Sequence, residues 1–351
     1  MTESAPERIM ALGRKDAVLP ADAPPGELRI ILYREGVPSR EVATFAEVDE
    51  ALTADPASVA WIALTEPNRA QVEEAAGHFD LPHLAVEDAI VAHQRPKIET
   101  YGDTLFVALR PTVYDEEQER LRVGELHVFG TRSLVVTLRH GVGPDLGRIR
   151  TRLAEHANLR ERGTLGIVYA VLDRVVDDYA PAVAGLQEDV DEVENQVFNE
   201  EKGVSRRIYR LMREVIILQR AVDPLGEILN ELTGRWERSE GEARGGLIAY
   251  LRDVADHVAA IRERVDGFRQ LLQDIMAVES SLVDQAQNEV MRKVSSWGGI
   301  LVVPTLISSV YGMNIAPRPG FHWLFTWPLT LAAMALVSFL LYVVFRRNGW
   351  L

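Results

Sequence analysis

The sequence contains no cysteine. Disulfide bonds and thiolate metal sites are therefore excluded, and any bound metal must be held by oxygen or imidazole ligands. Positive charge is also scarce, because 38 Lys and Arg residues stand against 52 Asp and Glu residues, for a formal net charge of -14. Nucleic-acid binding needs a basic face, so we expect no nucleic-acid partner, whereas an acidic chain suits a hard divalent cation.

The sequence motifs of hydrolytic enzymes are missing as well. There is no Gly-x-Ser-x-Gly, no phosphate-binding loop and no His-Glu-x-x-His. The eight histidines are scattered, and we interpret His83, His93 and His257 as surface or packing residues rather than metal ligands. We therefore expect a protein that is not an enzyme and that has no cofactor.

A length of 351 residues is compatible with two domains. Residues 1–27 mix proline, alanine and charged residues without an apolar core, so we expect a flexible N-terminal tail and no signal peptide. Residues 28–142 alternate short apolar runs with turns, and Pro67 to Phe79 has helical spacing, which predicts a cytoplasmic α/β domain. The predicted strands are Leu28 to Tyr33, Val59 to Leu64, Thr104 to Leu109, Leu121 to Phe129 and Ser133 to Leu138.

Residues 143–241 have the pattern of a cytoplasmic helical region. From Leu172 to Val197, apolar residues are spaced alternately by four and three, which is a heptad seam. Pro181 lies inside this seam and predicts a kink, and Gly203 predicts the end of the segment.

A second heptad seam runs from Leu247 to Ile275 without a miss, and no proline follows it before Pro304. This predicts one helix over residues 242–314, a stalk that continues into a first membrane span. At about 1.5 Å per residue the helix exceeds roughly 100 Å, so its seam must pack on the preceding helices and on copies of itself. A dimeric coiled-coil stalk is the alternative, because the seam does not determine the number of copies.

Two uncharged windows lie near the C-terminus, Gly298 to Ile315 and Trp323 to Phe345. Each is long enough to cross a bilayer, and a buried core hairpin is the alternative. Arg292 and Lys293 precede the first window and two arginines follow the second, so the positive-inside rule predicts that both termini are cytoplasmic. We expect a multi-pass protein of the plasma (inner) membrane. The predicted segments are an external loop at 315–322, a second span at 323–345 and a basic cytoplasmic tail at 346–351.

One face of the first span is small or polar and carries no charge. Such a face either lines a water path or lets helices pack closely, and periodicity alone does not choose between them. Mg²⁺ gives up its waters reluctantly, so a conduit for it needs neutral oxygens that hydrogen-bond the water shell, and apolar positions can gate it by dewetting. The stripe consists of Asn288, Met291, Ser295, Gly298, Val302, Thr305, Ser309 and Gly312.

At the outer end of this stripe, Tyr311-Gly312-Met313-Asn314 resembles the signature of CorA-type magnesium and divalent metal-ion transporters. The resemblance covers the chain from about Leu28 to Leu351. Further motifs similar to those of the family are Glu87-Asp88, Gln94-Arg95-Pro96-Lys97-Ile98-Glu99 and Leu105-Phe106-Val107 in the α/β domain, Tyr250 to His257 in the stalk, Gln287 to Met291 before the membrane, and Arg346-Arg347-Asn348-Gly349-Trp350-Leu351 in the tail.

The resemblance implies an α+β fold in which an N-terminal α/β domain, a long stalk helix and two C-terminal membrane helices assemble into a funnel-shaped homopentamer. It further implies a channel for Mg²⁺, with Co²⁺ and Ni²⁺ often accepted, in which the long helix lines the pore and the second span lies outside it. Magnesium is then both the substrate and a regulatory ligand. The residues matching the family's selectivity filter are Gly312, Met313 and Asn314, and those matching its inner pore are Asn288, Met291, Thr305 and Ser309.

The resemblance also implies regulation by cytoplasmic Mg²⁺ bound between neighbouring subunits. The matching positions are Asp88 of the α/β domain and Asp253 of the stalk, with Glu87 and Asp256 as helpers. Facing carboxylates repel each other when bare and are bridged when cation is plentiful, so loss of internal Mg²⁺ is expected to open the pore. The alternative is that these acids are solvated surface charges.

Two positions depart from the family pattern. The external loop has no acid and contains Arg318, which lowers the cation concentration at the pore entrance and affects uptake efficiency or ion preference. Val302 stands where the family often has a bulkier apolar residue, so the constriction is expected to be wider. Two other functions stay open: a zinc transporter on the same fold, which tends to have Ile where this chain has Met313, and a non-conducting membrane-anchored scaffold or cation sensor.

Overall fold

The computed structural model describes residues 23–91, 94–201, 203–238, 244–312 and 326–351. These residues form two compact units, one ending at Gln273 and the other beginning at Asp274. The order of elements is an α/β domain, a series of helices, one very long helix and a final apolar helix. This order confirms the predicted fold class.

The first unit is built on strands that belong to two sheets. Within the described residues the strands are β1 (Glu27–Arg34), β2 (Val37–Val42), β3 (Ser58–Thr65), β4 (Lys97–Tyr101), β5 (Thr104–Leu109), β6 (Thr112–Asp115), β7 (Arg120–Val123), β8 (Glu125–Gly130) and β9 (Leu134–His140). Seven of them form a sheet in the order β2-β1-β3-β9-β8-β5-β4, while β6 and β7 form a separate hairpin. Every pair in the large sheet is antiparallel except β3 with β9.

One face of the large sheet is covered by three short helices, α1 (Phe45–Ala54), α2 (Arg69–His78) and α3 (His83–Val91). Thr44 and Asn68 begin α1 and α2 with capping boxes, which satisfy the first free backbone N–H groups. Alternate strand residues such as Ile62, Phe106 and Val136 pack with the helices in one hydrophobic core. This core positions α3 beside the edge of the sheet that carries β4 and β5.

The chain leaves the small hairpin and enters the large sheet at Gly124. The prediction of a single strand from Leu121 to Phe129 is therefore wrong, because β7 and β8 lie in different sheets. A Cβ at Gly124 would lie 1.8 Å from the carbonyl oxygen of Val142, so only glycine permits this close approach. Nothing in the local sequence pattern encodes a neighbour that is distant along the chain. Strands β2, β4 and β6 were missed because most of their residues are exposed or half-buried, so they contain no long apolar run.

The remaining regular elements of the described chain are helices. They are α4 (Leu146–Glu155), α5 (Ala157–Arg160), α6 (Thr164–Asp177), α7 (Tyr179–Phe198), α8 (Ser205–Val222), α9 (Leu225–Arg238), α10 (Arg244–Gly312) and α11 (Thr326–Arg347).

The first heptad seam is divided between α6 and α7. Its positions from Leu172 to Val197 are buried, as the pattern predicts. The kink expected at Pro181 is instead a break at Asp178, which ends α6 and begins α7. Pro181 thereby falls in the first turn of α7, where an N–H would have no acceptor within the helix, so its missing donor costs nothing.

The second heptad seam is confirmed as a buried stripe of α10. From Leu247 to Ile275 its residues are at most 4% exposed, apart from the half-buried Ile261. Polar residues on either side of this stripe bind α8 and the turn that follows α8. The guanidinium of Arg262 lies 3.3 Å from the carboxylate of Asp223, and Gln219 donates a hydrogen bond to Asp266 at 2.9 Å.

The second unit consists of the last part of α10 together with α11. Both helices are long and apolar enough to cross a membrane, and the candidate span of α11 is Pro328–Arg347. The two helices meet where Gly299 of α10 approaches the ring of Phe345, and Trp350 stacks on that ring at a centroid distance of 5.5 Å. The predicted domain boundaries stay a prediction.

Candidate functional site

Every residue of the predicted pore stripe on α10 is exposed in the single chain. The covered residues of this helix lie elsewhere: Ser296 and Ile300 are buried, and a Cβ at Gly299 would lie 3.6 Å from the ring of Phe345. At about 100° per residue, the covered face and the stripe are centred roughly 140° apart around the helix axis. The stripe therefore faces away from the second apolar helix.

The stripe presents oxygen atoms that can accept hydrogen bonds. The hydroxyl of Thr305 donates to the carbonyl oxygen of Leu301 at 2.8 Å, which leaves its lone pairs as acceptors. Asn288 and Ser309 add an exposed carboxamide and an exposed hydroxyl. Waters bound to a cation point their hydrogens outward, so acceptors of this kind suit a hydrated ion better than a bare one.

The outer end of the stripe is described only in part. Gly312 is exposed and is the last residue of α10. Met313 and Asn314 of the predicted filter, and Arg318 of the predicted loop, lie outside the described residues.

On α3, the predicted regulatory acids share a face with two exposed apolar side chains. Leu84, Glu87, Asp88 and Val91 follow one another at helical spacing, and Leu84 and Val91 are 61% and 38% exposed. The opposite side of α3 is buried in the core of the α/β domain. The acids are therefore held on a firmly packed helix, next to apolar surface that the single chain leaves uncovered.

The carboxylate of Asp88 is paired with a lysine of the neighbouring strand. Lys97 Nζ lies 2.6 Å from Asp88 Oδ2 and 2.9 Å from Glu99 Oε1, and the hydroxyl of Tyr101 donates to Glu99 at 2.7 Å. Burial by itself lowers the pKa of Lys97, but the hydrogen bonds and charges of Asp88 and Glu99 outweigh it and raise that pKa above its ordinary value. Lys97 is thus a fixed cation in contact with Asp88.

On α10, the predicted acids Asp253 and Asp256 are exposed. The carboxylate of Asp173 on α6 is 2% exposed and lies 2.6 Å from a guanidinium nitrogen of Arg152. Burial raises the pKa of Asp173, Arg152 opposes the rise and the charge of Asp253 adds to it. Asp253 is therefore close enough to this buried acid to interact with it electrostatically.

The donor set suits a hard divalent cation, but the described part of one chain does not gather these acids into a metal site. Glu87 and Asp88 on α3 and Asp253 and Asp256 on α10 all offer carboxylate oxygens, which Mg²⁺ prefers. Among the described residues, no group of three or more His, Asp or Glu side chains is arranged to hold a metal ion. Ligands from a second copy or from water would have to complete the coordination.

The chain matches a family model described as CorA-like Mg²⁺ transporter protein over residues 56–347. This match covers most of the α/β domain, all of the helices that follow and both apolar C-terminal helices. The chain belongs to the CorA-like Mg²⁺ transporter family. It is accordingly a membrane protein and a divalent-cation transporter of the CorA type.

Other CorA proteins resemble the chain along most of its length. The cobalt/magnesium transport protein CorA of Thermotoga maritima is 28% identical over 300 residues, which are 85% of this chain and 85% of that protein. The complete structure of the CorA magnesium transporter from Methanocaldococcus jannaschii matches with a TM-score of 0.71 at 17% identity, covering 92% of this chain and 98% of the other.

A second solved structure shares part of the fold. The cytoplasmic domain of ZntB from Vibrio parahaemolyticus matches with a TM-score of 0.51 at 12% identity, covering 65% of this chain and 88% of the other. At such low identity, this likeness and the likeness to the Methanocaldococcus CorA concern the fold alone.

The resemblance to the CorA family predicted Asp88 and Asp253 as regulatory acids but predicted neither Lys97 beside Asp88 nor the influence of Asp253 on Asp173. Lys97 belongs to the Gln94 to Glu99 motif that resembles the family. Because Lys97 and Glu99 are two residues apart on a strand, their spacing predicts that both side chains lie on one face. Asp173 had no such signal, because it lies in a helix among buried apolar residues. Three histidines were interpreted as surface or packing residues rather than metal ligands. Of these, His83 and His257 are exposed, and His93 lies outside the described residues.

Proposed function

We propose that this protein is a homopentameric channel that admits Mg²⁺, and also Co²⁺ or Ni²⁺, through the plasma membrane. One observation carries the proposal: the uncharged, oxygen-bearing stripe of α10 faces away from α11 and is exposed in the single chain. Family membership and the similarity to a cobalt/magnesium transport protein support the choice of ions.

Self-association follows from the geometry of the stripe. One helix cannot enclose a water path, so several copies of α10 must surround a common axis with their stripes inward. The helix also exposes Leu301, Leu306 and Val310, at 64%, 62% and 54%, and these need lipid or a neighbouring subunit as cover. We take five copies, with a funnel-shaped assembly, from the family resemblance.

The pore chemistry suits a hydrated ion. Mg²⁺ keeps its waters, and Thr305 and Ser309 accept hydrogen bonds from such waters. Asn314, repeated around the axis, forms a ring of carboxamides with Gly312 and Met313 as the selectivity filter. Inward transport needs no other energy source, because a divalent ion gains about 4.6 kcal/mol per 100 mV of inside-negative membrane potential when it enters.

Cytoplasmic Mg²⁺ is proposed to close the channel by bridging subunits. Asp88 on the outward face of α3 meets Asp253 of a neighbouring subunit, with Glu87 and Asp256 holding waters of the ion. The exposed apolar residues Leu84 and Val91 beside Asp88 support this face as the contact between copies. Without the ion, the facing carboxylates repel and the contact loosens.

Transport is tested by reconstitution in liposomes. We expect Mg²⁺ and Co²⁺ influx driven by an inside-negative potential, and altered flux with loss of selectivity in Asn314→Ala. Asn348→Ala, which changes an exposed asparagine outside the pore, is the matched control and should behave as wild type. Absence of flux for every ion tested would overturn the channel.

Zinc transport on the same fold is the second candidate, although Met313 stands where the zinc branch tends to have Ile and so favours magnesium. The same liposomes distinguish it: Zn²⁺ flux that depends on a pH gradient, without Mg²⁺ flux, would establish the zinc function. The effect of the external loop is tested in parallel with Arg318→Gln, which should increase the rate of cation entry at low ionic strength.

Regulation is tested by limited proteolysis of the reconstituted protein with and without Mg²⁺. We expect Mg²⁺ to slow cleavage, and Asp88→Ala combined with Asp253→Ala to remove this protection. The control combines Asp103→Ala with Glu263→Ala, which deletes two exposed acids, one in the α/β domain and one on α10. Unchanged protection in the first double variant would show that the regulatory site lies elsewhere.

A further inference from the structure

Asp88 already has a cation as its partner. Lys97 Nζ lies 2.6 Å from Asp88 Oδ2, and both side chains are about one quarter exposed, at 28% and 26%. A second carboxylate, Glu99, lies 2.9 Å from the same ammonium. A divalent cation would be most strongly attracted to the place between Asp88 and Glu99. The ammonium of Lys97 already occupies that place.

The position of this ammonium is determined by the sheet. Lys97 begins β4 and is paired in register with Ala108 of β5, so its backbone is held at the sheet edge next to α3. Its Nζ lies 5.7 Å from the centroid of the Phe106 ring, within the range of a cation–π contact. Glu99 is held in turn by the hydroxyl of Tyr101. Lys97 is therefore not a freely moving surface lysine.

We propose that Lys97 is a built-in competitor of Mg²⁺ at Asp88 and sets the concentration at which the regulatory site fills. This inference rests on the proposed regulatory role of Asp88. When Mg²⁺ is scarce, Lys97 neutralises Asp88 and stabilises the α/β domain without metal. When Mg²⁺ is plentiful, the ion must either displace the ammonium or bind against its repulsion.

The consequence is a site tuned to weak binding. A positive charge within a few ångströms opposes the approach of a divalent ion, and at a partly exposed position the effect is moderated by water and salt. Removing the charge while keeping a hydrogen-bond donor should tighten Mg²⁺ binding by about tenfold. A lysine-to-arginine change keeps the charge and should alter binding much less.

The experiment measures the Mg²⁺ concentration that gives half-maximal thermal stabilisation of the full-length protein in detergent, with half-maximal protection from proteolysis as a second reading. Lys97→Gln should lower this midpoint about tenfold and should lower Tm in the presence of a chelator, where Asp88 and Glu99 repel each other. Mg²⁺ should restore the lost Tm. Lys97→Met, which keeps the aliphatic stem over Phe106, serves the same purpose if Lys97→Gln does not fold.

Three variants act as controls. Lys97→Arg should keep a midpoint close to that of wild type. Arg132→Gln removes an exposed charge from a pair with Asp103, 87% and 78% exposed, and should leave the midpoint unchanged. Asp88→Asn should abolish the Mg²⁺ response whether or not Lys97 is present.

The outcomes separate this inference from the function on which it rests. If Asp88→Asn leaves the Mg²⁺ response intact, the regulatory role of Asp88 is wrong. If Asp88→Asn removes the response but Lys97→Gln and Lys97→Met keep the wild-type midpoint, the regulatory role stands and the competition by Lys97 is overturned.

Discussion

Gly299 of the first apolar helix lies beneath the aromatic ring of Phe345 in the second, where a Cβ would sit 3.6 Å from the ring carbons. That distance is an ordinary van der Waals contact, so one methyl group fits but a larger side chain does not. The next residue toward the N-terminus, Gly298, has nothing within 4 Å of its Cβ position in the single chain. Adjacent glycines thus face different surroundings, one covered and one open.

This difference predicts opposite effects for the same substitution at two neighbouring positions. Gly299→Leu should displace Phe345 and lower Tm in detergent, whereas Gly299→Ala should be nearly neutral. Gly298→Leu should keep Tm but block ion flux in liposomes, because it fills the proposed pore. Size-exclusion chromatography checks that both leucine variants assemble. Normal flux through correctly assembled Gly298→Leu would argue that the stripe does not line the path.

A buried histidine predicts acid sensitivity of the α/β domain. His127 is 1% exposed and stacks on Phe106. The charged or titratable groups that face it are His140, Lys97 and Glu125. Burial, then the charges of His140 and Lys97, lower its pKa from 6.5 to about 3. Between these values the unfolded chain binds a proton that the folded domain does not, so stability falls as pH falls.

Replacing this histidine should flatten the pH dependence. The slope from one such proton is about 1.4 kcal/mol per pH unit well below pH 6.5, and His127→Gln should remove it while leaving the contribution of His140. The measurement is the change in unfolding midpoint between pH 7 and pH 5, compared with His257→Gln at an exposed position. An unchanged slope in His127→Gln would mean that another group is responsible.

The buried seam of α10 predicts a large loss of stability from a single truncation. Leu251 is fully buried, so Leu251→Ala should cost about 2–5 kcal/mol of unfolding free energy through lost burial and the cavity left behind. Arg252→Ala, at the next and exposed position, should change stability by less than about 0.5 kcal/mol. Chemical denaturation followed by circular dichroism measures both. Equal small effects would contradict close packing of this seam.

The crossing between the two sheets makes Gly124 intolerant of any side chain. Gly124→Ala would place a methyl group 1.8 Å from the carbonyl oxygen of Val142, so we expect the junction of β7 and β8 to shift and Tm to fall by several degrees. Gly77 in α2 is the contrasting case, since nothing lies within 4 Å of its Cβ position and alanine favours a helix by about 1 kcal/mol. Gly77→Ala should therefore raise Tm, and a matching rise in Gly124→Ala would refute the close approach.

Much of the molecule was predictable because its strongest signals are local. The seam from Leu247 to Ile275 and the apolar windows near the C-terminus depend on the spacing and composition of adjacent residues. Spacing determines which face of a helix is apolar, and composition determines whether a segment can cross a bilayer. Strands with a continuous apolar run, such as β1 and β3, were predicted for the same reason. The strand proposed from Leu121 to Phe129 failed because the approach of Val142 to Gly124 depends on a part of the chain that lies well beyond that strand.

By itself, therefore, the sequence determined the long helix, the two apolar helices and the motifs of a CorA-like transporter, and the resemblance in these motifs is what proposes Asp88 and Asp253 as regulatory acids. Only the tertiary structure decided what surrounds them: that Asp88 meets Lys97, that Asp253 lies near the buried Asp173, and that the polar stripe turns away from Phe345. The physical reason is that helical periodicity and hydropathy are properties of consecutive residues. Partners of a side chain are set by strand register and helix packing, which join residues far apart in the chain.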